Sequence, residues 1–544
     1  MSAQPITRRD VGLGLIATLL PFPAHAAAIV DVRDHGARGD GVALDSPAIN
    51  AAIAAAAARP HGGTVRIPAG RYRCYSLRLR SRVTILFAPG TVIEAAAGTG
   101  YDLPEDNGDQ LYQDFGHSHW RNSLIWGDDI TEVAITGPGL IDGRGLTRDG
   151  PGARWTAQIG ERPLSMRTMS AAEIARLEPD AARMQGLGNK AIALRNGRDI
   201  RLSGFTMHRC GHFAILATGT RRLHVHDLTI DTDRDGIDLD GVRDALVERC
   251  RVNTPNDDAI VVKSSHALGR AAPAENVTIR HCAVSGYDLG TLLDGSRRTT
   301  QRLAPDRDRP TGRIKLGTES NGGYRNIRIE DCRFDHCRGL ALETVDGGVM
   351  ENVVARRLTL RDVTTAPLFL RLGDRRRGPA GTGIGTIRGV TLDGIDATGI
   401  DPRFAATLAG LPGRPIEDVT LTDIRLSYAG GGTMDDAARR PDDFASAYPE
   451  PSMFGVTPAW GLWVRHVRGL TVRGLELATV TPDARPAVRV EDATGVRVAR
   501  RMRWQRLRAA RGKRPLASVS AAGRCGPRPR ARRVHDPSRR RADP

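Results

Sequence analysis

A short strand-like triplet, in which two apolar residues flank a variable one, recurs through most of the chain. The first three copies begin at Ile200, Leu223 and Ala245, at spacings of 23 and 22 residues. The later copies are Val277-Thr278-Ile279, Ile327-Arg328-Ile329, Val353-Val354-Ala355, Val390-Thr391-Leu392, Val419-Thr420-Leu421 and Leu470-Thr471-Val472. Alternating strands with Gly, Asn and Asp turns at such a period are typical of a coiled repeat. The sequence therefore predicts an all-β fold, a single right-handed parallel β-helix, and not a propeller with regular hairpin blades.

Two acidic segments lie one repeat apart, each just ahead of an apolar strand. They are Asp233 to Asp240 and Asn256 to Ile260, and Asp235 and Asp257 are 22 residues apart. Because residues one coil apart stack side by side, we expect Asp235, Asp257 and Asp258 to crowd onto one surface. Crowded carboxylates repel, so one keeps its proton while the others stay ionised, as glycosidic cleavage requires. Solenoid turns also favour Asp without any function, but that explains one acidic turn better than two aligned ones.

The positive charge of the chain is concentrated at its end. The formal net charge is +17, but residues 500–544 hold 16 Lys and Arg against 2 Asp and Glu, and residues 27–499 carry +2. The body is therefore near neutral, which gives no support to nucleic-acid binding. We expect residues 500–544 to be a basic, disordered tail or the product of a frameshift; anchoring to an acidic polymer is the functional alternative.

The first 26 residues have the features of an export signal. Arg8 and Arg9 form a twin-arginine pattern, an apolar run follows from Val11 to Leu20, and Ala24 and Ala26 supply a cleavage site. The run is too short for a stable membrane span. We expect twin-arginine export to the periplasm or the medium, with residues 27–499 forming the β-helix.

A short helix is predicted near the start of the mature chain. Ser46 can act as its N-cap, Pro47 suits its first position, and an alanine-rich stretch continues to Ala58. Such a helix would cover the N-terminal end of the β-helix, where open strand edges invite aggregation.

The acidic segments are also similar to motifs of a known family. The chain resembles the polygalacturonases, glycoside hydrolase family 28, within the pectin-lyase-like β-helix superfamily, over roughly residues 30–498. The resemblance implies hydrolysis with inversion and without a metal or other cofactor. It implies that Asp257 is the general acid and that Asp235 and Asp258 activate the attacking water. Asp238 would be a neighbour in the cleft, and Lys263 would lower the pKa of a nearby carboxylate.

Two departures from the family leave the cation site open. The family's Gly-His-Gly segment is missing from the coil after the paired aspartates. Its Arg-Ile-Lys motif, whose cations hold a galacturonate carboxylate, is matched literally by Arg313-Ile314-Lys315. Counting coils instead places Ala341-Leu342-Glu343 at that position. If the coil count is right, Glu343 would lie near a subsite, repel a uronate and favour a mixed chain such as rhamnogalacturonan. Arg313 and Lys315 would then bind an acidic residue of the polymer.

The remaining histidines show no metal-ligand spacing beside a carboxylate triad; they include His117 and His212. Two other readings stay open: a lyase or epimerase with Ca²⁺ held by Asp235, Asp257 and Asp258, and a non-catalytic carbohydrate-binding surface protein. For the first reading we expect a polysaccharide or oligosaccharide substrate, no cofactor, no nucleic-acid partner, no membrane span and a monomer.

Overall fold

A computed structural model describes residues 28–105, 116–147, 185–304, 307–506 and 520–522. Its strands pair in parallel throughout. The first are β1 (Ile29–Asp31), β2 (Asp40–Leu44), β3 (Gly63–Ile67), β4 (Gly70–Cys74), β5 (Leu77–Arg78), β6 (Val83–Phe87), β7 (Thr91–Ala95), β8 (Ser123–Asp128), β9 (Thr131–Thr136) and β10 (Leu140–Asp142). The central ones are β11 (Lys190–Arg195), β12 (Arg198–Ser203), β13 (Thr206–His208), β14 (Phe213–Thr218), β15 (Arg221–His226), β16 (Thr229–Asp231), β17 (Asp235–Asp240), β18 (Arg243–Glu248), β19 (Arg251–Asn253), β20 (Ile260–Ser264), β21 (Ala274–Arg280), β22 (Ala283–Ser285), β23 (Ile314–Ser320), β24 (Tyr324–Glu330), β25 (Arg333–Cys337) and β26 (Leu340–Thr344). The last are β27 (Val349–Val363), β28 (Leu368–Leu372), β29 (Thr386–Ile400), β30 (Ala406–Ala409), β31 (Ile416–Tyr428), β32 (Leu462–Thr479), β33 (Val488–Thr494), β34 (Arg497–Arg506) and β35 (Ser520–Ala522).

Each central coil consists of three strands, and each strand pairs with its equivalent in the next coil. Thus β11, β12 and β13 pair with β14, β15 and β16, which pair in turn with β17, β18 and β19. The register stacks identical residues inside the coil: Ile192, Ile215, Ile237, Ile260 and Ile314 are neighbours and are all fully buried. Each such side chain contributes about 1.5–3 kcal/mol through burial. The predicted all-β parallel β-helix is confirmed.

The predicted helix covers the N-terminal end of the stack, although its cap differs from the prediction. Helix α1 (Ser46–Ala57) packs on the first strands. Ser46 is its first residue and Asp45 takes the N-cap position without a capping hydrogen bond, since the Asp45 carboxylate accepts from the N–H groups of Arg38 and Gly39 at 2.7 and 3.1 Å. The other described helices are α2 (Met434–Ala438) and the short 3-10 helices Val32–His35 and Pro451–Phe454. The buried positions of α1 have helical spacing: Ile49, Ala52, Ile53 and Ala56.

The strand pairing continues past residue 499, where the sequence predicted the β-helix to end. In β34, Met502 and Trp504 are in register with Leu475 and Leu477 of β32, and Trp504 packs against the core. β35 pairs with β33. The remaining parts of the predicted tail, and the predicted signal at residues 1–26, lie outside the described residues.

No helix among the described residues is both long and apolar enough to cross a membrane.

Candidate active site

Asp235, Asp257 and Asp258 lie together where two neighbouring coils meet. Asp235 is the first residue of β17, and the other two lie in the turn before β20, which pairs with β17 in register. The Gly236 N–H donates to the Asp258 carbonyl oxygen at 3.1 Å, so the pairing extends to the acidic residues. Carboxylate oxygens of Asp235 and Asp257 lie within 4.8 Å of each other. The structure therefore brings the three predicted carboxylates onto one small surface.

Two arginines hold Asp257 in its ionised form. Arg307 Nη2 donates to Asp257 Oδ2 at 2.8 Å, and Arg234 Nη1 donates to the same oxygen at 3.3 Å. Burial by itself would raise the pKa of Asp257, but the charges of Arg307 and Arg234 outweigh it and hold that pKa well below its usual range. Sequence reasoning assigned neither arginine to the site.

Asp235 has the opposite electrostatic environment. Burial and the charge of Asp257 raise the pKa of Asp235 well above its usual range, although Lys263, 3.5 Å away, works in the other direction. Asp235 Oδ1 is buried and accepts no hydrogen bond from the described residues. Two carboxyl groups this close do not both ionise readily, so Asp235 and Asp257 together favour holding one proton. Because the arginines keep Asp257 ionised, that proton is favoured on Asp235. This is the reverse of the assignment that the resemblance gave for the acid.

Lys263 is the cation at the centre of a buried network. It lies in β20, donates to Asp238 Oδ2 at 2.7 Å and lies 2.5 Å from His117 Nε2 and 3.9 Å from Glu319 Oε2. Burial would lower the pKa of Lys263, but Asp235 and Asp238 keep it well above its usual range. Asp238 is fully buried beside Lys263. The two residues therefore fix the charge beneath Asp235, and neither is a surface contact for a sugar.

The structure does not support the predicted role of Arg313 and Lys315 as cations for a substrate carboxylate. Arg313 Nε donates to Asp258 Oδ1 at 2.8 Å, and its Nη2 donates to Glu450 Oε1 at 2.6 Å. Lys315 Nζ lies 3.5 Å from Asp258 Oδ2 and donates to Thr318 Oγ1 at 2.8 Å. The side chains of Arg313 and Lys315 are 1% and 2% exposed. Their charge is used inside the protein, where it holds Asp258 in place.

The prediction that Glu343 repels a uronate at a subsite is wrong, because its side chain is 0% exposed. Its Oε2 lies 3.4 Å from Lys315 Nζ, and neither carboxyl oxygen accepts a hydrogen bond from the described residues. Burial raises the pKa of Glu343 to about 7, against the effect of Lys315 and Arg313. Glu343 is thus a buried partner of Lys315.

The strand pairing locates both candidate registers of the Arg-Ile-Lys motif. Ile260 pairs with Ile314, so the literal motif lies on the coil directly after the paired aspartates. Lys315 pairs with Ala341 on the following coil. Residues 341–343 therefore lie one coil beyond the literal motif, as the coil count predicts; that this is the position of the family's cations stays a prediction.

Two histidines that the sequence gave no role lie against the carboxylates. His212 has a ring nitrogen within 4.8 Å of oxygens of Asp235 and Asp257, and His117 is placed likewise with Asp235 and Asp238. Phe213 is in register with Asp235, so His212 lies one coil before the triad at nearly the same position of the repeat. That offset was a signal in the sequence, but it appears only once the coil register is known.

The carboxylates do not fit a Ca²⁺ site. Calcium takes about 6–8 oxygen ligands and needs carboxylates free of competing cations. Here Asp257 is paired with Arg234 and Arg307, and Asp258 is paired with Arg313. The alternative of a Ca²⁺-dependent lyase or epimerase therefore has no suitable donor set at these residues.

Comparisons with known proteins agree with the motif resemblance. Residues 29–288 match the family model described as Rhamnogalacturonase A/epimerase, pectate lyase-like. A polygalacturonase of Ralstonia nicotianae is 23% identical over 337 residues, which are 57% of this chain and 59% of the relative. The chain thus aligns with less than two thirds of that relative's length.

Solved structures share the fold. An exopolygalacturonase of Thermotoga maritima superimposes with a TM-score of 0.54 at 20% identity, over 74% of this chain and 87% of the other. A family 28 exopolygalacturonase of Yersinia enterocolitica gives a TM-score of 0.50 at 17% identity, over 87% and 78%. The right-handed parallel β-helix is confirmed, and the chain is similar to the polygalacturonase-like glycoside hydrolases.

Proposed function

We propose that this protein is an exported hydrolase that cleaves glycosidic bonds in pectic or related uronate-containing polysaccharide. The observation that supports it is the group of three carboxylates on adjacent coils, whose neighbours give Asp235 and Asp257 opposite affinities for a proton. A pair of carboxyl groups in different environments is the equipment of glycoside hydrolysis.

In this proposal the proton that rests on Asp235 passes to Asp257 when substrate binds, Asp257 then protonates the leaving oxygen, and Asp235 and Asp258 hold and deprotonate the attacking water. The water oxygen bonds to the anomeric carbon as the glycosidic bond breaks, and its proton passes to Asp235 or Asp258. One proton is given and one is taken, so the site returns to its starting charge after exchange with solvent. Arg313 and Lys315 position Asp258, and Lys263 positions Asp235.

We also propose inversion at the anomeric carbon, as the resemblance implies. In inverting enzymes the two carboxyl groups are roughly 6.5–9.5 Å apart, against about 5–5.5 Å in retaining ones. The bound of 4.8 Å for Asp235 and Asp257 applies to one oxygen of each residue, and not to the separation of the two carboxyl groups. Because Asp258 adds a second base beside the first, the water has two acceptors and needs no covalent intermediate.

The substrate test uses a panel of polygalacturonate, rhamnogalacturonan and a neutral galactan, with products followed in the presence of a chelator. New reducing ends without an ultraviolet-absorbing product support the hydrolase. An unsaturated product that a chelator abolishes would identify a lyase, and binding without cleavage would identify a carbohydrate-binding protein. The proposed export route has a separate test. The wild-type protein should be recovered from the periplasm or medium, and the double variant Arg8→Lys and Arg9→Lys should not be.

A further inference from the structure

One row of side chains runs from coil to coil along the outer face of the sheet that carries the triad. Each member lies between two residues of the interior core, as Asp238 does, and therefore points away from that core. The register stacks the central members in the order Leu216, Asp238, Val261, Lys315, Ala341 and Phe369. Carboxylate oxygens of Asp235 and Asp238 lie within 4.8 Å of each other, so the triad shares this face. A polymer laid across the coils past the triad would follow the row.

An apolar cluster covers the row on the coils before the triad. This cluster, the first wall, is separate from the interior core and consists of Trp120, Ala193, Phe213, Leu216 and Ala267. Trp120 is fully buried, and its Nε1 donates to Thr218 Oγ1 of β14 at 2.9 Å. Phe213 is also fully buried and is in register with Asp235. The first wall therefore begins on the coil next to the triad.

A second wall covers the row on the coils after the triad. It is again separate from the interior core, and it includes Ala341, Phe369 and Trp463 of the sheet together with Ala447, Met453 and Phe454. The last three come from the chain segment between β31 and β32. The rings of Phe454 and Trp463 are 5.0 Å apart and both are buried. The sheet face is thus filled with packed side chains on this side as well.

The segment that forms the second wall is bound to the sheet at two separate coils. The buried Arg371 of β28 donates through Nη2 to the Asp443 carbonyl oxygen at 2.5 Å, and its guanidinium lies 5.5 Å from the centre of the Phe454 ring. Nearer the triad, Glu450 accepts from Arg313 Nη2 at 2.6 Å. These bonds hold the second wall against the face that a polymer would have to follow.

Three coils lie between the walls, those of β17, β20 and β23. Strands in a sheet are about 4.7–4.9 Å apart, so three strands give a slot roughly 14 Å long. Within it, the side chains of Asp257 and Glu450 are 15% and 16% exposed, against 4% for Asp235 and 7% for Asp258. The slot is therefore short, and solvent reaches the triad past Asp257 and Glu450.

We propose that the site is a pocket closed on both sides, which takes in the end of a polysaccharide chain and releases short products. The proposal rests on the proposed function and specifies its substrate as chain ends and short oligosaccharides. The interior of a chain would have to continue past the triad on both sides, where the walls fill the face. Displacing either wall would expose its apolar side chains to water, which opposes such binding. A chain end has to leave the slot on one side only.

The products of cleavage test the pocket. Wild type is incubated with the polymer of the panel that it cleaves fastest, and reducing ends, viscosity and product sizes are followed from the start. We expect reducing ends to accumulate with little loss of viscosity, and one short product to appear from the earliest time points. An early loss of viscosity with a mixture of long products would overturn the pocket.

Binding tests the pocket without cleavage, in the Asp257→Asn protein. Oligosaccharides of increasing length, prepared from each polymer of the panel, are titrated by calorimetry. We expect the affinity per chain to stop rising once the chain is longer than the slot, because further sugars lie outside it. The number of protein molecules bound per chain should not grow with length. Affinity or stoichiometry that keeps rising with chain length would show binding to the interior and overturn the pocket.

This titration also separates the proposal from the proposed function. If wild type cleaves no polymer of the panel, the hydrolase proposal fails by itself, and the dependence of binding on chain length still decides the pocket. Absence of binding to every oligosaccharide in the series would overturn the pocket too.

Trp120→Ala tests the first wall. Removal of the indole lengthens the slot toward β14, so the variant should release longer products and lose more viscosity per reducing end than wild type. Loss of folding lowers all rates together and does not give that pattern. Trp504→Ala is the matched control, because Trp504 packs against the core in β34, near the C-terminal end of the β-helix, and should keep the wild-type products. Unchanged products from a folded Trp120→Ala protein would overturn the first wall, and if the variant does not fold, the titration by chain length decides.

Discussion

Arg313 and Asp258 form a buried ion pair, with Arg313 Nε donating to Asp258 Oδ1 at 2.8 Å. The same guanidinium binds Glu450, from a segment 137 residues away in sequence. Arg313 thus connects the catalytic coil to the chain segment around Glu450. Its role in holding the structure together differs from the substrate contact that its motif suggests, and the two roles predict different phenotypes.

Arg313→Ala should therefore destabilise the fold. Removing one partner of a buried pair leaves uncompensated charge and costs about 3–5 kcal/mol in the free energy of unfolding. Denaturant unfolding measures this, with Arg325→Ala as the control because Arg325 forms an exposed pair with Glu351 and should cost at most about 1 kcal/mol. A stable Arg313→Ala protein with only a raised KM would show that the literal motif binds substrate after all.

The repeat and the acidic cluster could be predicted from the sequence because both follow from the local period. Residues one coil apart stack, so a spacing of 22 residues between Asp235 and Asp257 is enough to bring them together. The stack of isoleucines that includes Ile237 and Ile260 follows from the same rule. The extension of the strands into β34 was missed because its arginines resemble the basic tail that follows.

The partners of the cluster could not be predicted, since they come from loops whose length does not follow the period. Glu450 encloses Arg313 from 137 residues away, and Arg307 reaches Asp257 across 50 residues. The motif around Arg313 therefore identified cations correctly but could not show what they bind. Protonation was missed for the same reason, since the low pKa of Asp257 depends on Arg307.

Asp257→Asn should abolish hydrolysis and leave the fold intact. The asparagine cannot protonate the leaving oxygen, and general acid catalysis contributes about 10²–10⁴-fold to rate. Initial rates on the best substrate of the panel measure the loss, and circular dichroism checks the fold. Asp227→Asn serves as the control, because Asp227 pairs with Arg249 on the exterior. Near-normal activity in Asp257→Asn would refute the assignment of the acid.

Glu343 should make stability fall between about pH 4.5 and pH 7. Its pKa is raised from 4.5 to about 7 in the folded protein. The folded state therefore binds more protons than the unfolded state in that window, and its stability is lost as pH rises. The contribution is at most about 3 kcal/mol at 1.36 kcal/mol per pKa unit.

Glu343→Gln should remove that component, since glutamine does not titrate. The variant should gain on wild type as pH rises from 4.5 to 8, whereas Glu351→Gln, at a half-buried position, should keep the wild-type profile in this window. Urea unfolding at several pH values measures the difference. Parallel profiles for wild type and Glu343→Gln would show that Glu343 is ionised throughout.

The first product released should have the opposite anomeric configuration to the bond cleaved. If Asp235 and Asp258 together hold one water, that water attacks the anomeric carbon directly from the face away from the leaving group, and a single displacement inverts the configuration. Proton NMR of the earliest product, recorded before mutarotation, distinguishes the two anomers. Retention would mean that an ionised carboxylate attacks the sugar first. It would assign the nucleophile to Asp235 or Asp258, and it would remove the water-activating pair from the mechanism.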